Sequence, residues 1–151
     1  MRRNMLLLIL LVFVGLPVLS ACGSDGSAHD SDHLASVDQL PDWAQDAPPR
    51  VREAYQYAVA NPAEVAKYPC YCGCGPMGHT SNLSCYVSEL APDGTVLAFD
   101  THANGCGICV DITQDVMRLK ADGQSSPQVR AYIDAQYSPF GPSTDTAFPV
   151  E

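Results

Sequence analysis

Between residues 70 and 109 lie six cysteines with the spacing C-x-C-x-C-x10-C-x20-C-x2-C. They are Cys70, Cys72, Cys74, Cys85, Cys106 and Cys109, and His79 and His102 fall among them. Three chemistries suit such a set. The first is metal binding. Soft thiolates completed by imidazole select Cu(I), Zn²⁺ or an iron–sulfur cluster. C-x-C-x-C on a Gly-rich loop can fold several sulfurs round one centre. Cys106-Gly-Ile-Cys109 sets two more a helical turn apart at a helix start, where the dipole favours thiolate charge. Copper or zinc is expected ahead of iron–sulfur, because an exposed cluster outside the cell is open to oxidation. The second chemistry is a disulfide framework, which an even number of cysteines also fits. C-x-C rings are strained, so bridges would run from the triplet to the other three cysteines. The third is thiol–disulfide exchange at Cys106 and Cys109. It leaves four cysteines unexplained, and the flanking βαβ pattern is missing. A c-type haem is not expected, since Val110 and not His follows Cys109. Asp100 stands where it can orient His102, as carboxylates orient metal-bound imidazoles. Metal binding through all eight side chains is the reading adopted, with the other two kept as alternatives. The partner it implies is another metal-handling or redox protein.

Other activities have less support. No serine sits in a Gly-x-Ser-x-Gly elbow, and no phosphate loop is present. The chain has 151 residues and a net charge of −9. Two of its eight basic residues are Arg2 and Arg3, so the part after them is more acidic still. That charge excludes a nucleic-acid binder, which needs basic patches for phosphate. It also excludes electrostatic docking to anionic lipid.

The elements that must hold the cysteines follow from pattern. Val51, Ala54, Tyr55, Ala58 and Val59 share one face of an amphipathic helix entered at Asp46-Ala-Pro-Pro. Asn61-Pro62-Ala63-Glu64 predicts a short helix with Asn61 as N-cap and Glu64 closing a capping box. Residues 69–84, PCYCGCGPMGHTSNLS, are too rich in Gly and Pro for regular structure. Cys85–Leu90 and Thr95–Asp100 flank Pro-Asp-Gly and read as a hairpin. Residues 106–122 read as a helix with Cys109, Ile112, Val116 and Leu119 on one face and Gly123 just beyond its end. Ser126 is expected to cap a last helix with Val129, Tyr132, Ile133 and Tyr137 inward. The expected fold is therefore a small, helix-rich α+β domain: about four short helices and one hairpin around a cysteine-rich loop. Domains of this size often lean on metal or disulfides for stability.

Residues 1–21 read as a secretion signal: Arg2 and Arg3, then the apolar run of residues 5–19. The run is too short for a secure membrane span, which needs ~20 apolar residues. Leu19-Ser20-Ala21-Cys22 resembles the bacterial lipobox. That resemblance implies cleavage before Cys22 and acylation of its thiol with palmitate-type chains. Two chains anchor stably, each buried CH₂ adding ~0.8 kcal/mol. The expected location is the outer face of a bacterial membrane, with the lipid as the membrane contact. Residues 22–47, polar and acidic, are expected to be a flexible tether, with His29 and His33 solvated and Trp43 docking near its end. The domain is expected over residues 48–140, with an irregular tail over 141–151.

Pro69-Cys-Tyr-Cys-Gly-Cys74, Gly78-His79, Ser81-Asn82, Cys85, His102 and Cys106-Gly-Ile-Cys109 together resemble the bacterial PCYCGC-motif lipoproteins. The likeness extends over about residues 48–140. It implies an exported, lipidated protein whose six cysteines and two histidines act as a unit. That family carries no assigned activity, so it lends no catalytic role to any position.

Overall fold

The computed structural model describes residues 33–150. The signal segment, Cys22 and His29 lie outside them. Six α-helices and one hairpin form the described part. In order they are α1 (Asp42–Gln45), α2 (Pro49–Ala60), α3 (Pro62–Val65), β1 (Val87–Leu90), β2 (Val96–Phe99), α4 (His102–Gly105), α5 (Gly107–Ala121) and α6 (Ser126–Tyr137). Helix-rich α+β is the class found, and α1, α3 and α4 are single turns. Among the described residues, no helix is long and apolar enough to cross a membrane.

Helix α5 is the spine, packing against both α2 and α6. Its inward face buries Cys109, Ile112, Val116 and Leu119, as their spacing requires, and Val110 and Thr113 beside them. From α2 it meets Ala54, Tyr55 and Ala58, and from α6 Val129 and Ile133, all fully buried. The helix stops at Gly123, whose φ of +77° is open to glycine at little cost. There Gly123 N–H bonds Lys120 O and Gln124 N–H bonds Leu119 O, the double bond of a Schellman end.

Two caps differ from expectation. The last helix begins one residue early, with Ser125 as N-cap and Gln128 closing a capping box. Asn61 precedes α3, but its side chain makes no cap bond. Its amide donates instead to His33 O at 2.7 Å and Tyr57 O at 3.1 Å. Glu64 is likewise drawn away from the cap. Its carboxylate accepts from Lys67 Nζ at 2.6 Å, Ser126 Oγ at 3.1 Å and the Tyr68 hydroxyl, with Lys120 3.5 Å away. One carboxylate thereby ties α3 to α5 and α6.

The segment before the domain is a correction. Residues 33–47 are not a free tether here. Ala35, Leu40, Ala44 and Ala47 are buried. Ala35 N–H donates to Gln56 O at 3.1 Å, and the Gln56 amide returns to Ala35 O at 2.7 Å. Trp43 docks edge-on against Tyr55, ring centres 5.3 Å apart. Apolar residues spaced irregularly were enough to bury this strap, although no helical or strand period marked it. Residues 141–150 hold no helix or strand, yet Thr144 among them is buried.

The hairpin pairs Val87 with Phe99, Glu89 with Ala98 and Leu90 with Val96, with register shifts between. Its turn carries Gly94 at φ +87°. At its open end Asp100 N–H donates to Tyr86 O at 2.9 Å. The hairpin therefore sets Cys85-Tyr86 beside Asp100 and His102.

Burial would raise the pKa of Glu64, but hydrogen bonds from Lys67 and Tyr68 and the charge of Lys120 outweigh it and hold it below the ordinary value. A carboxyl with a depressed folded pKa contributes stability above its unfolded value and loses it as pH falls through the folded one. Glu64→Ala should lower urea-denaturation stability near neutral pH by about 1–3 kcal/mol. The gap from the unaltered chain should close as pH falls below the carboxylate range. A gap independent of pH would contradict this role.

Candidate metal centre

The six cysteines, predicted to act with the histidines, converge from three parts of the chain. Cys70, Cys72 and Cys74 come from the loop after α3, Cys85 from the 3₁₀ turn Asn82–Cys85, and Cys106 and Cys109 from the start of α5. All six are free thiols. No disulfide joins them among the described residues. Cys70 Sγ lies 3.3 Å from both Cys72 Sγ and Cys109 Sγ. Cys72 to Cys109 is 3.7 Å, and Cys74 to Cys85 is 3.9 Å. Sulfurs at ~2.3 Å from one tetrahedral ion would be about 3.8 Å apart. The observed contacts are near that edge length.

Both histidines aim a ring nitrogen at a sulfur. His102 Nε2 is 3.2 Å from Cys72 Sγ, and His79 Nδ1 is 3.5 Å from Cys85 Sγ. The two rings meet edge to face at 5.1 Å. Asp100 serves both, but not as expected. Its Oδ1 accepts from the backbone N–H of His102 at 2.7 Å, and its Oδ2 lies 3.5 Å from Nε2 of His79. The carboxylate thus backs the ring of His79 and fixes the main chain of His102.

Four overlapping sets of side chains can each hold an ion, the donor atoms in each lying within 4.8 Å of one another. They are Cys72, His102, Cys106 and Cys109; Cys70, Cys85 and Cys109; Cys70, Cys72 and Cys74; and Cys74, His79 and Cys85. Every site residue expected from the sequence in this region is included, apart from Asp100, which stands behind the donors.

The loop can crowd its sulfurs because Gly73 turns at φ +80°, a conformation an L side chain resists. Several residues that hold the site escaped the sequence reading. A chain of hydrogen bonds runs under α5: Asn82 Nδ2 donates to Thr113 Oγ1 at 2.7 Å, Thr113 to the Tyr86 hydroxyl at 2.8 Å, and Tyr86 to Cys109 O at 2.8 Å. Tyr55, edge-on to Tyr86 at 4.9 Å, donates its hydroxyl to Asp100 O at 2.8 Å. The signal for Thr113 was its position, since a hydroxyl sits four residues after Cys109 on an otherwise apolar face. Thr144 had no such signal. Its N–H donates to Cys70 O and its Oγ1 accepts from Cys70 N–H, both at 2.9 Å, so the tail clamps the first ligand of the loop.

Proximity governs the titration of these thiols. Hydrogen bonding from Cys109, and then from Cys85, holds Cys70 far below the usual thiol range. Cys109 is pushed up, first by its contacts with Cys70 and Cys85 and then by burial. Burial is also the leading cause that raises Cys72 and Cys74. Ionising several thiols in so buried a place needs a cation to offset the charge.

Residues 10–149 match the family described as "Protein of unknown function with PCYCGC motif", and the chain belongs to that family. No curated protein and no solved structure matches it.

Thr144→Val keeps the volume but leaves the buried Cys70 N–H without an acceptor. Urea denaturation should show a loss of about 1–3 kcal/mol. A change of only a few tenths would mean that the tail does not hold the loop.

Proposed function

We propose that this chain is a lipid-anchored extracytoplasmic protein that binds a soft metal ion, copper or zinc, and takes part in metal handling. The observation that carries the reading is the convergence of six free thiols and two imidazoles at spacings near those of a tetrahedral thiolate shell. Thiolates prefer soft ions, and imidazole suits both copper and zinc. A surface rich in acid and an export-type leader suit a protein that meets its partner, another metal-handling or redox protein, outside the cytoplasm. The residues that would hold the ion are Cys70, Cys72, Cys74, Cys85, Cys106, Cys109, His79 and His102. Their task in this reading is to bind and release, with no bond made or broken in a substrate.

A thiol oxidoreductase at Cys106 and Cys109 has weaker support. Cys109 is fully buried, and its sulfur is engaged by Cys70 and Cys72. An exchanging thiol needs access and a lowered pKa.

Two measurements check the proposal. The chain purified without oxygen should carry copper or zinc by elemental analysis. The triple replacement of Cys70, Cys72 and Cys74 by Ser should abolish it, whereas unchanged metal content would overturn the reading. For the anchor, Cys22→Ser should move the protein from the membrane fraction to the soluble one and remove the acyl mass from its N-terminal peptide. An unmodified Cys22 in the unaltered protein would contradict lipidation.

A further inference from the structure

The four sets of donors overlap in a regular way. Cys70, Cys72, Cys74, Cys85 and Cys109 each belong to two sets, while Cys106, His79 and His102 belong to one. Sulfur can bridge two ions, whereas a ring nitrogen has one lone pair to give. Eight donors also exceed the four that Zn²⁺ ordinarily takes. A single ion at the centre would leave at least four of the eight donors unused.

We infer that the cluster is a binuclear thiolate centre with an outer and an inner ion. This deepens the metal-binding reading above and rests on it. The outer ion sits on Cys72, Cys106, Cys109 and His102, which form one complete set of four. The inner ion sits on Cys74, Cys85 and His79, with Cys70 as its fourth donor. Cys70 shares one set with Cys74 and another with Cys85. The 3.3 Å contact of Cys70 with Cys109 is the edge where the two shells join.

Burial separates the two positions. Cys70, Cys74, Cys85 and His79 are all buried, at 0%, 1%, 0% and 8% exposure. On the outer side Cys72, Cys106 and His102 are all half-buried, and only Cys109, which faces Cys70, is fully buried. Of these, Cys106 lines a surface hollow, with Arg50, Val51, Ala103, Asn104 and Val110 among its other walls. The outer ion is therefore the one a partner can reach and exchange. The inner ion is enclosed, and it ties the loop that carries Cys70, Cys74 and His79 to the 3₁₀ turn that carries Cys85.

Cu(I) alone, and separately Zn²⁺ alone, would be added to the full chain in detergent without oxygen, and bound ions counted by native mass spectrometry. Two ions per chain are expected. Cys106→Ser removes an outer donor, and serine is a good residue to cap α5, so the helix should persist. This variant should hold one ion, as should Cys74→Ser from the inner side. A Cu(I) chelator should strip one ion from the unaltered chain well before the other. One ion at saturation in the unaltered chain would overturn the binuclear centre and leave metal binding standing. No ion at all would overturn both. Were either variant to unfold by circular dichroism, the count in the unaltered chain would still decide.

Discussion

Two sulfurs 3.3 Å apart, Cys70 on a loop and Cys109 on α5, form the contact on which the rest of this structure depends. The residues are 39 positions apart in the chain, and thiols have little attraction to bring them together. The fold supplies the force from outside. Apolar burial along α2, α5 and α6 fixes the helix that carries Cys109. The loop that carries Cys70 is held by the Thr144 clamp on one side and by Asn82 N–H bonding Tyr68 O on the other. Beneath Cys109 the Asn82–Thr113–Tyr86 chain satisfies polar groups that would be costly to bury alone. The cluster is thus preorganised by hydrogen bonds to backbone as well as by its own sulfurs.

That arrangement gives each half of the domain a role. The helices provide a rigid wall, and the hairpin provides alignment, since Asp100 N–H on Tyr86 O sets Cys85 and His102 at the same end. Asp100 then couples the two histidines through one carboxylate, on a ring nitrogen of His79 and the main chain of His102. A carboxylate behind an imidazole fixes its orientation, a common support for metal ligands.

The major helices and the hairpin were legible because their signals are local. Cys109, Ile112, Val116 and Leu119 recur at helical spacing, and Pro-Asp-Gly sits between two β-prone runs. The donors were legible because soft ligands are rare and stand out by type. What was not legible depends on distant contacts. Leu40 and Ala44 lack a period, and their burial comes from surfaces that the folded helices present. Thr144 looks like any threonine in a tail until Cys70 is opposite it. Asn61 and Glu64 fit a capping box by sequence. They lose it because His33 O, Tyr57 O, Lys67 and Ser126 compete for the same groups. The role of Asp100 was half legible: its spacing to His102 pointed to a partner, but the ring it backs is that of His79.

Ligation of a metal by sulfur and imidazole is what gives this cluster its role. The most direct measurement is X-ray absorption at the metal edge of the anaerobically purified protein. A nearest shell dominated by sulfur with a nitrogen contribution is the predicted result. A shell of oxygen and nitrogen alone would contradict it, because it would place the metal away from the cysteines.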